Sequence, residues 1–356
     1  MRGRATLLDA YFKQLRHSLI ISKLRAALPS GLGGVALSSC SGIQSALDPA
    51  GPEAADVATL FYVMLAGGAF IWLGVLGTLI YAAHQAREQH SERTARRVIL
   101  FCGAVGPAII LTGLLSYAVW LMPSLRPSTA PGADGVRHIE ITAQQFWWRV
   151  RYLDSSGQTI FETANEIMMP VGERVLFDLK SPDVIHSFWV PSLGGKMDAI
   201  PGRTNRLALE ASRPGLYRGA CAEFCGASHA LMAFTVKAVE PSAFEMWLDQ
   251  RRSVEGASNQ QNSFSNKDGL ALFLRHGCGA CHTIAGTEAT GEIGPDLTSV
   301  GSRTTIAAGT LQNSPESIAR FIRHPEQVKP GVQMPAFHML PGGDVEEIAA
   351  YLRGLE

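Results

Sequence analysis

The sequence predicts a multidomain membrane protein in which two transmembrane α-helices are followed by a β-sandwich and an all-α domain. Two long apolar runs predict the helices, and alternating polarity across residues 137–239 predicts the sandwich. Helical periodicity in residues 266–356 predicts the last domain. Lysine plus arginine and aspartate plus glutamate both number 31 among the 356 residues, so the charge balance indicates no nucleic acid partner.

The two apolar runs, residues 57–82 and 98–122, contain no charged side chain. Spanning a bilayer takes about 20 apolar residues, so each run is long enough to cross it. A buried helix of a soluble domain is the alternative, but such helices rarely run this far without a charge. The intervening loop is rich in arginine (Arg87, Arg93, Arg96 and Arg97). Because short cytoplasmic loops are enriched in basic residues, we expect a hairpin over residues 57–122 in the bacterial inner membrane, with the later domains in the periplasm.

Residues 1–40 have the character of an export leader. Six basic residues lie within the first thirty, and a short apolar stretch from Leu28 to Leu37 then leads to Cys40. This pattern is typical of a bacterial lipoprotein signal, in which the cysteine becomes the lipidated N-terminus. An ordinary leader in which Cys40 has no role is the alternative, and the sequence leaves both hypotheses open.

Residues 123–250 carry the period-two signature of β-strands. Polar and apolar side chains alternate in residues 137–141 and 174–179, and turn signals such as Pro201-Gly202 separate the strands. Many short strands without intervening helices favour a β-sandwich.

A short helix from Ser242 to Gln250 is predicted to follow the strands, after Pro241. The polar residues 251–265 are predicted to be a linker. Residues 270–273 and 346–352 then mark the first and last helices of a domain that spans residues 266–356.

The strongest motif for chemistry lies between Cys221 and Met232 and brings soft ligands close together in the sequence. It contains two thiols, an imidazole and a thioether, from Cys221, Cys225, His229 and Met232. A blue-copper site uses one cysteine, two histidines and a weak methionine. With a second cysteine and the distant His186, two thiolates can bridge two coppers, each with one histidine. The weak ligands would be Met232 and the backbone carbonyl of Glu223.

Three other interpretations of this motif are possible. Cys221 and Cys225 could form a disulfide, which leaves His229 and Met232 unexplained. A zinc site with two cysteines and two histidines would leave Met232 without a role. Met232 alone could fill the core, as methionine often does.

A second motif, Cys278-Gly279-Ala280-Cys281-His282, is typical of covalent haem c attachment. The two thiols can bond to the haem while His282 reaches the iron, and a later methionine usually completes the coordination. Met334 is the candidate, and Met339 is its competitor. A thioredoxin-like cysteine pair is the alternative, but no βαβ pattern surrounds these residues.

The copper motif, with residues 186–193 and 198–203 before it, resembles subunit II of cytochrome c oxidase over residues 57–250. The resemblance implies a cupredoxin fold and a dinuclear copper centre, CuA, that passes electrons to haems in subunit I. It also implies that the Glu223 side chain helps to hold a magnesium ion at the subunit I interface. The haem motif indicates a fused class I cytochrome c domain.

The resemblance also sets the expected activity and partners. It implies a proton-translocating cytochrome-c oxidase in which this chain is the subunit that receives electrons. Subunits I and III, cytochrome c or another periplasmic donor, and the lipid bilayer are the implied partners. The copper subunit of a nitric oxide reductase, a free-standing membrane-anchored electron carrier and a metal-free assembly subunit are the rival hypotheses.

Two features depart from the family pattern. The family usually carries Trp at the first aromatic position of its Gln-Trp-x-Trp motif, where electrons arrive from soluble cytochrome c, and Phe146 stands there in this chain. We expect the fused haem, tethered by residues 251–265, to supply the copper instead. The alternative is that Phe146 is a neutral aromatic exchange in the same packing position. The family also often has a glutamate at the start of its second helix, but residues 98–101 contain no acid and Glu92 is the nearest.

Overall fold

The computed structural model describes residues 41–84, 91–122, 136–256 and 267–356. The expected leader, residues 1–40 with the lipidation hypothesis for Cys40, lies outside the described residues.

Two long apolar helices precede the sandwich, as predicted. The first, α1, runs from Pro52 to His84. The second apolar helix has three parts, namely α2 (Glu92–Leu100), a π-helical turn (Phe101–Val105) and α3 (Gly106–Leu121). Both stretches are long and apolar enough to cross a membrane. Their large apolar side chains are exposed, with Phe70 at 79% and Trp120 at 74%, as expected for surfaces that lipid covers.

Pro107 lies directly after the π-helical turn of the second apolar stretch. That turn ends at Val105, and Pro107 is in the first turn of α3. The Gly106 N–H still donates to the Phe101 carbonyl, so the helical path continues through this point. Proline removes one backbone donor from a helix, and the π-helical turn changes the hydrogen-bond pattern immediately before it.

Ten strands form the predicted β-sandwich. Their bounds are β1 (Arg137–Gln144), β2 (Trp147–Leu153), β3 (Thr159–Ala164), β4 (Glu166–Pro170), β5 (Arg174–Lys180), β6 (His186–Trp189), β7 (Met197–Ala199), β8 (Asn205–Glu210), β9 (Gly215–Cys221) and β10 (Ala233–Val239). One sheet has the order β3-β2-β1-β5-β8, and the other has the order β4-β10-β9-β6-β7.

The period-two pattern follows from burial between these sheets. Along β1, Ile139, Ile141 and Ala143 are buried while the residues between them are partly exposed. Trp148 and Phe188 pack edge to face in the core with ring centroids 5.6 Å apart. The sandwich therefore has one apolar interior that fixes the strand ends, where the candidate ligands lie.

The helix that closes the sandwich is longer than predicted. It runs from Pro241 to Gly256 (α4), so residues 251–256 of the expected linker are helical. Trp247 on this helix packs against Tyr152, with ring centroids 5.2 Å apart. Arg251 donates a 2.7 Å hydrogen bond to Ser302 Oγ of the C-terminal domain. The rest of the linker lies outside the described residues.

The C-terminal domain is helical, as predicted. It contains α5 (Lys267–Arg275), α6 (Pro315–Arg323), α7 (Pro325–Val328) and α8 (Gly342–Arg353), with a two-stranded hairpin of β11 (Thr305–Ile306) and β12 (Leu311–Gln312). The first and last helices cross closely at Gly269, where an added Cβ would lie 2.4 Å from Tyr351 Cβ. Only glycine allows the two backbones to approach this closely.

Candidate metal centre and haem pocket

A pair of buried thiols lies at the centre of the copper motif. Cys221 ends β9 and Cys225 follows in the loop before β10. Their Sγ atoms are 3.8 Å apart, whereas a disulfide bond is about 2.05 Å long. Both cysteines are free in the structure, which removes the disulfide interpretation.

Each thiol faces one imidazole. Cys221 Sγ lies 3.9 Å from Nδ1 of His186, and Cys225 Sγ lies 3.6 Å from Nδ1 of His229. His186 comes from β6 on the neighbouring part of the same sheet, whereas His229 begins a 3₁₀ turn after Cys225. The structure therefore brings together all four of these sequence-predicted residues.

Two weaker donors complete the cluster, again one for each thiol. Met232 Sδ lies 3.9 Å from Cys225 Sγ, and the Glu223 carbonyl oxygen lies 3.2 Å from Cys221 Sγ. Among the described residues, ligand atoms of His186, Cys221 and Cys225 lie within 4.8 Å of one another, but His229 is not in that group. The donors are therefore spread more widely than one tetrahedral ion requires, and they suit two soft metal ions that share the thiols.

The Glu223 side chain points to a different environment from its carbonyl. Its carboxylate lies 3.8 Å from Lys196 Nζ, and both side chains are about half exposed, at 47% and 49%. The sequence analysis assigned Glu223 two roles, and the structure places only the backbone carbonyl beside the thiols.

Asp183, which no motif in the sequence marks, orients one imidazole. Its Oδ1 lies 2.9 Å from Nε2 of His186, and its Oδ2 accepts a hydrogen bond from the backbone N–H of Gln145. Burial opposes ionisation of Asp183, but hydrogen bonds from His186 and backbone amides hold the pKa of this carboxyl below its usual value. An ionised Asp183 favours a proton on Nε2 of His186, which leaves Nδ1 free to face the thiol. The only signal in the sequence was an acid three residues before the histidine.

The two thiols differ in their proton affinity in the metal-free chain. Burial opposes ionisation of both. Hydrogen bonds to His186 and to backbone groups outweigh burial and lower the pKa of Cys221. Burial and the neighbouring Cys221 raise the pKa of Cys225. Because both must be thiolates to bridge metals, binding would release protons mainly from Cys225.

An apolar cavity of about 230 Å³ lies in the C-terminal domain beside the haem motif. Cys278, Cys281, His282 and Met334 all line it, together with apolar side chains such as Phe273 and Leu352. Met339 is not among the lining residues and is 67% exposed. The thiols, the imidazole and the partly buried thioether around one apolar cavity fit a haem c, with Met334 rather than Met339 placed to reach it.

The geometry around His282 prepares its ring to bind iron. Its Nδ1 lies 2.8 Å from the Pro295 carbonyl oxygen. Burial lowers the pKa of His282, although this carbonyl acts in the opposite direction. The neutral ring therefore donates from Nδ1 and keeps Nε2 available. An added Cβ at Gly294 would lie 2.5 Å from Cε1 of His282, so the loop lies flat against the ring.

The haem cavity and the thiol cluster share a wall. Gln145, Phe146 and Trp147, at the turn between β1 and β2, line the cavity from the sandwich side. Gln145 Nε2 donates a 2.6 Å hydrogen bond to the carbonyl of Cys225. No periodic pattern in the sequence predicted this contact between the two sites.

Polar contacts hold the C-terminal domain, residues 267–356 and called the haem domain, against this wall. Lys329 Nζ donates to the carbonyl of Phe146, and Ser228 Oγ donates a 2.7 Å hydrogen bond to the Pro330 carbonyl. Phe146, at the position where the family usually has Trp, is only 3% exposed. The C-terminal domain therefore covers the Phe146 and Ser228 side of the copper motif, whereas Phe224 within the motif is exposed.

Comparison with known proteins places both domains. Residues 137–239 match the family described as cytochrome c oxidase subunit II, periplasmic domain, and residues 267–356 match cytochrome c. The chain is 34% identical over 342 residues to cytochrome c oxidase subunit 2 of Alkalihalophilus pseudofirmus, covering 92% of this chain and 96% of that protein. It is 31% identical over 234 residues to the Bacillus subtilis protein of the same name, covering 63% of this chain and 64% of that one.

A solved structure also resembles part of the chain. The periplasmic domain of cytochrome oxidase subunit II from Bradyrhizobium japonicum is 31% identical and has a TM-score of 0.32. The match covers 35% of this chain and 98% of that domain.

Proposed function

The chain belongs to the cytochrome c oxidase subunit II family, with a cytochrome c domain at its C-terminal end, and we propose an electron route through both domains. Electrons pass from a donor to a covalent haem c, then to a dinuclear copper centre, and then to the oxygen-reducing subunit I. The rival hypotheses of a nitric oxide reductase subunit, a free-standing carrier or a metal-free assembly subunit are not favoured by relatives that are cytochrome c oxidase subunits.

The observation that carries the copper assignment is that each thiol faces one imidazole and one weak donor. Cys221 and Cys225 would hold a copper pair through their thiolates, His186 and His229 through their imidazoles, and Met232 and the Glu223 carbonyl as weaker ligands. A bound copper pair supplies one-electron transfer, with the charge shared between two metals. The protein's contribution is a buried, preformed cage, in which Asp183 holds the His186 ring in one orientation.

The haem assignment rests on the cavity lining. Cys278 and Cys281 would form the two covalent bonds to the haem, and His282 and Met334 would bind its iron. A thioether ligand favours the ferrous state and raises the haem potential. The Pro295 carbonyl fixes the His282 tautomer, and the apolar walls exclude water.

The remaining expectations about the complex rest on the family resemblance. We propose that the helices anchor the chain in the bacterial inner membrane, with copper and haem domains in the periplasm. Subunits I and III and a periplasmic donor such as cytochrome c are the proposed partners of a proton-translocating complex. A magnesium ion at the Glu223 carboxylate stays a prediction from the resemblance, and Lys196 is the cation that now lies 3.8 Å from that carboxylate.

Metal analysis tests the proposal directly. The purified holo-protein should contain two coppers for each iron, whereas one zinc for each iron would contradict the copper assignment. Cys221→Ser should abolish the mixed-valence copper EPR signal because one thiolate cannot bridge both metals. Cys102→Ser, which changes an exposed cysteine of the membrane hairpin, is the matched control and should retain the signal.

A further inference from the structure

Arg149 is a buried cation of the β-sandwich, residues 137–239 and called the copper domain, and its side chain reaches the haem domain. It lies on β2, is 5% exposed, and its guanidinium stacks 4.9 Å from the centre of the Trp147 ring. Its Nη1 pairs with the carboxylate of Glu162 on the neighbouring strand. Trp147 is part of the wall that the two sites share.

The other nitrogen of Arg149 binds the loop that holds the haem ligand. Its Nη2 donates a 2.6 Å hydrogen bond to the Glu292 carbonyl, and the Gly294 carbonyl lies 3.4 Å away. The next residue is Pro295, whose carbonyl accepts the hydrogen bond from Nδ1 of His282. One guanidinium on the copper domain is therefore one peptide away from the group that orients the candidate axial histidine.

A buried guanidinium is costly unless its donors are satisfied. Glu162 lies in the same sandwich and satisfies only one side of the fork. The carbonyls of Glu292 and Gly294 satisfy the other side, and they are available only when the haem domain is docked. The contact thus links docking of the two domains to the shape of the His282 loop.

We infer that Arg149 is a positioning residue that acts through the 292–295 loop on His282, so that docking onto the copper domain sets the potential of the haem. This inference rests on the proposed haem ligation. A hydrogen bond at the far nitrogen of an axial histidine makes the ring more electron-rich, which favours the ferric state. Without the hydrogen bonds from the Arg149 guanidinium, the 292–295 loop is held less firmly. The hydrogen bond from His282 to the Pro295 carbonyl then weakens, and the haem becomes easier to reduce.

The chain offers a matched pair of substitutions. Arg151 lies two residues away on the same strand and also binds Glu162, with Nε 2.8 Å from Oε2. Its described side-chain hydrogen bonds all go to residues of the sandwich. Arg149→Lys and Arg151→Lys therefore make the same chemical change and keep the charge, but only the first removes the two-carbonyl contact.

The test is a redox titration of the full chain, monitored by haem absorbance, together with EPR of the oxidised haem. Arg149→Lys should raise the equilibrium constant for haem reduction severalfold, up to about tenfold, which corresponds to about 59 mV for one electron. It should also shift the low-spin g-values, which report axial ligand orientation. Arg151→Lys should leave both unchanged. If Arg149→Lys matches Arg151→Lys in potential and g-values, the inference is overturned.

Two further observations keep the result interpretable. Arg149→Gln gives a second variant if the lysine variant does not fold, and its g-values should shift in the same way. An unchanged haem spectrum in Arg149→Gln would also overturn the inference. If the wild-type chain carries no covalent haem, or an oxidised haem without histidine ligation, then the proposed function itself fails rather than the role of Arg149.

Discussion

The side-chain amide of Gln145 donates a 2.6 Å hydrogen bond to the carbonyl of Cys225. Gln145 also lines the haem cavity, so one side chain touches the wall of one site and a ligand residue of the other. This contact connects the two sites without following the backbone, and it has consequences for electron transfer between them.

Replacing Gln145 should slow transfer from haem to copper. We expect Gln145→Leu to lower the intramolecular rate severalfold, because a hydrogen-bonded path is replaced by a gap between non-bonded atoms. The rate can be measured by rapid photoreduction of the haem, followed by absorbance of the copper centre. Gln144→Leu is the control on the adjacent residue, whose side-chain Oε1 has no hydrogen-bond partner in the described part of the chain. Equal rates in all three proteins would exclude Gln145 from the path.

Met334 and Met339 should differ sharply when each is replaced. Met334 lines the cavity and packs against the domain core, whereas Met339 is 67% exposed. Met334→His should leave the haem attached through Cys278 and Cys281 but lower its potential, since a thioether ligand favours ferrous iron. Met339→His should leave the potential and the spectrum unchanged. The reverse pattern would move the axial position to Met339.

Lys329 should make the stability of the full chain depend on pH. Burial lowers the pKa of Lys329 to about 7 from an ordinary 10.5, although the nearby Cys225 acts in the opposite direction. Between these values the unfolded chain binds more protons, so the free energy of unfolding should rise with pH from about 7 to about 10.5. The slope from one such group is at most about 1.4 kcal/mol per pH unit. Below pH 7 its contribution should be flat.

Denaturant unfolding at several pH values measures this slope. Lys329→Met should lose the part of the slope that this group contributes, because it removes the titrating amine. Lys237→Met changes an exposed lysine of the sandwich in the same way and should retain the wild-type slope. A slope unaffected by Lys329→Met would show that the lysine is charged in the native state.

Phe146→Trp should destabilise the docked arrangement of the full chain. The Phe146 ring is enclosed on two sides, since an added Cβ at Gly226 would lie 3.1 Å from it and one at Gly331 would lie 3.4 Å from it. Overpacking a filled site of this kind costs about 1–3 kcal/mol. Thermal unfolding of the full chain should show a lower midpoint for Phe146→Trp. After deletion of residues 266–356, which removes Gly331, the same substitution should cost less.

The proximity of the candidate copper ligands could be predicted from the sequence because most of them are close together in the chain. Cys221, Cys225, His229 and Met232 are spaced so closely that a single loop must bring them together, and only His186 needed the fold. The two apolar helices and the sandwich could also be predicted, because the helices are long uncharged runs and the strands alternate polar and apolar residues. The geometry of Met334 also agrees with the sequence-based choice over Met339.

Contacts between the domains could not be predicted in the same way. Lys329 and Phe146 are 183 positions apart, and Lys329 belongs to no motif. The sequence analysis expected a tethered haem domain but gave no contact that fixes it. It also ended α4 at Gln250, because the following residues are polar. In the structure, Arg251 has a partner in Ser302, and the helix continues to Gly256.

The hydrogen bond from Ser228 to the Pro330 carbonyl has a consequence for maturation. Ser228 is in the loop that carries Cys225 and His229, and that loop must open for copper ions to reach two buried thiols. Once the haem domain is docked, the hydrogen bond from Ser228 to the Pro330 carbonyl holds this loop in place. We therefore expect copper to load more readily while the two domains are apart than after the haem domain has docked.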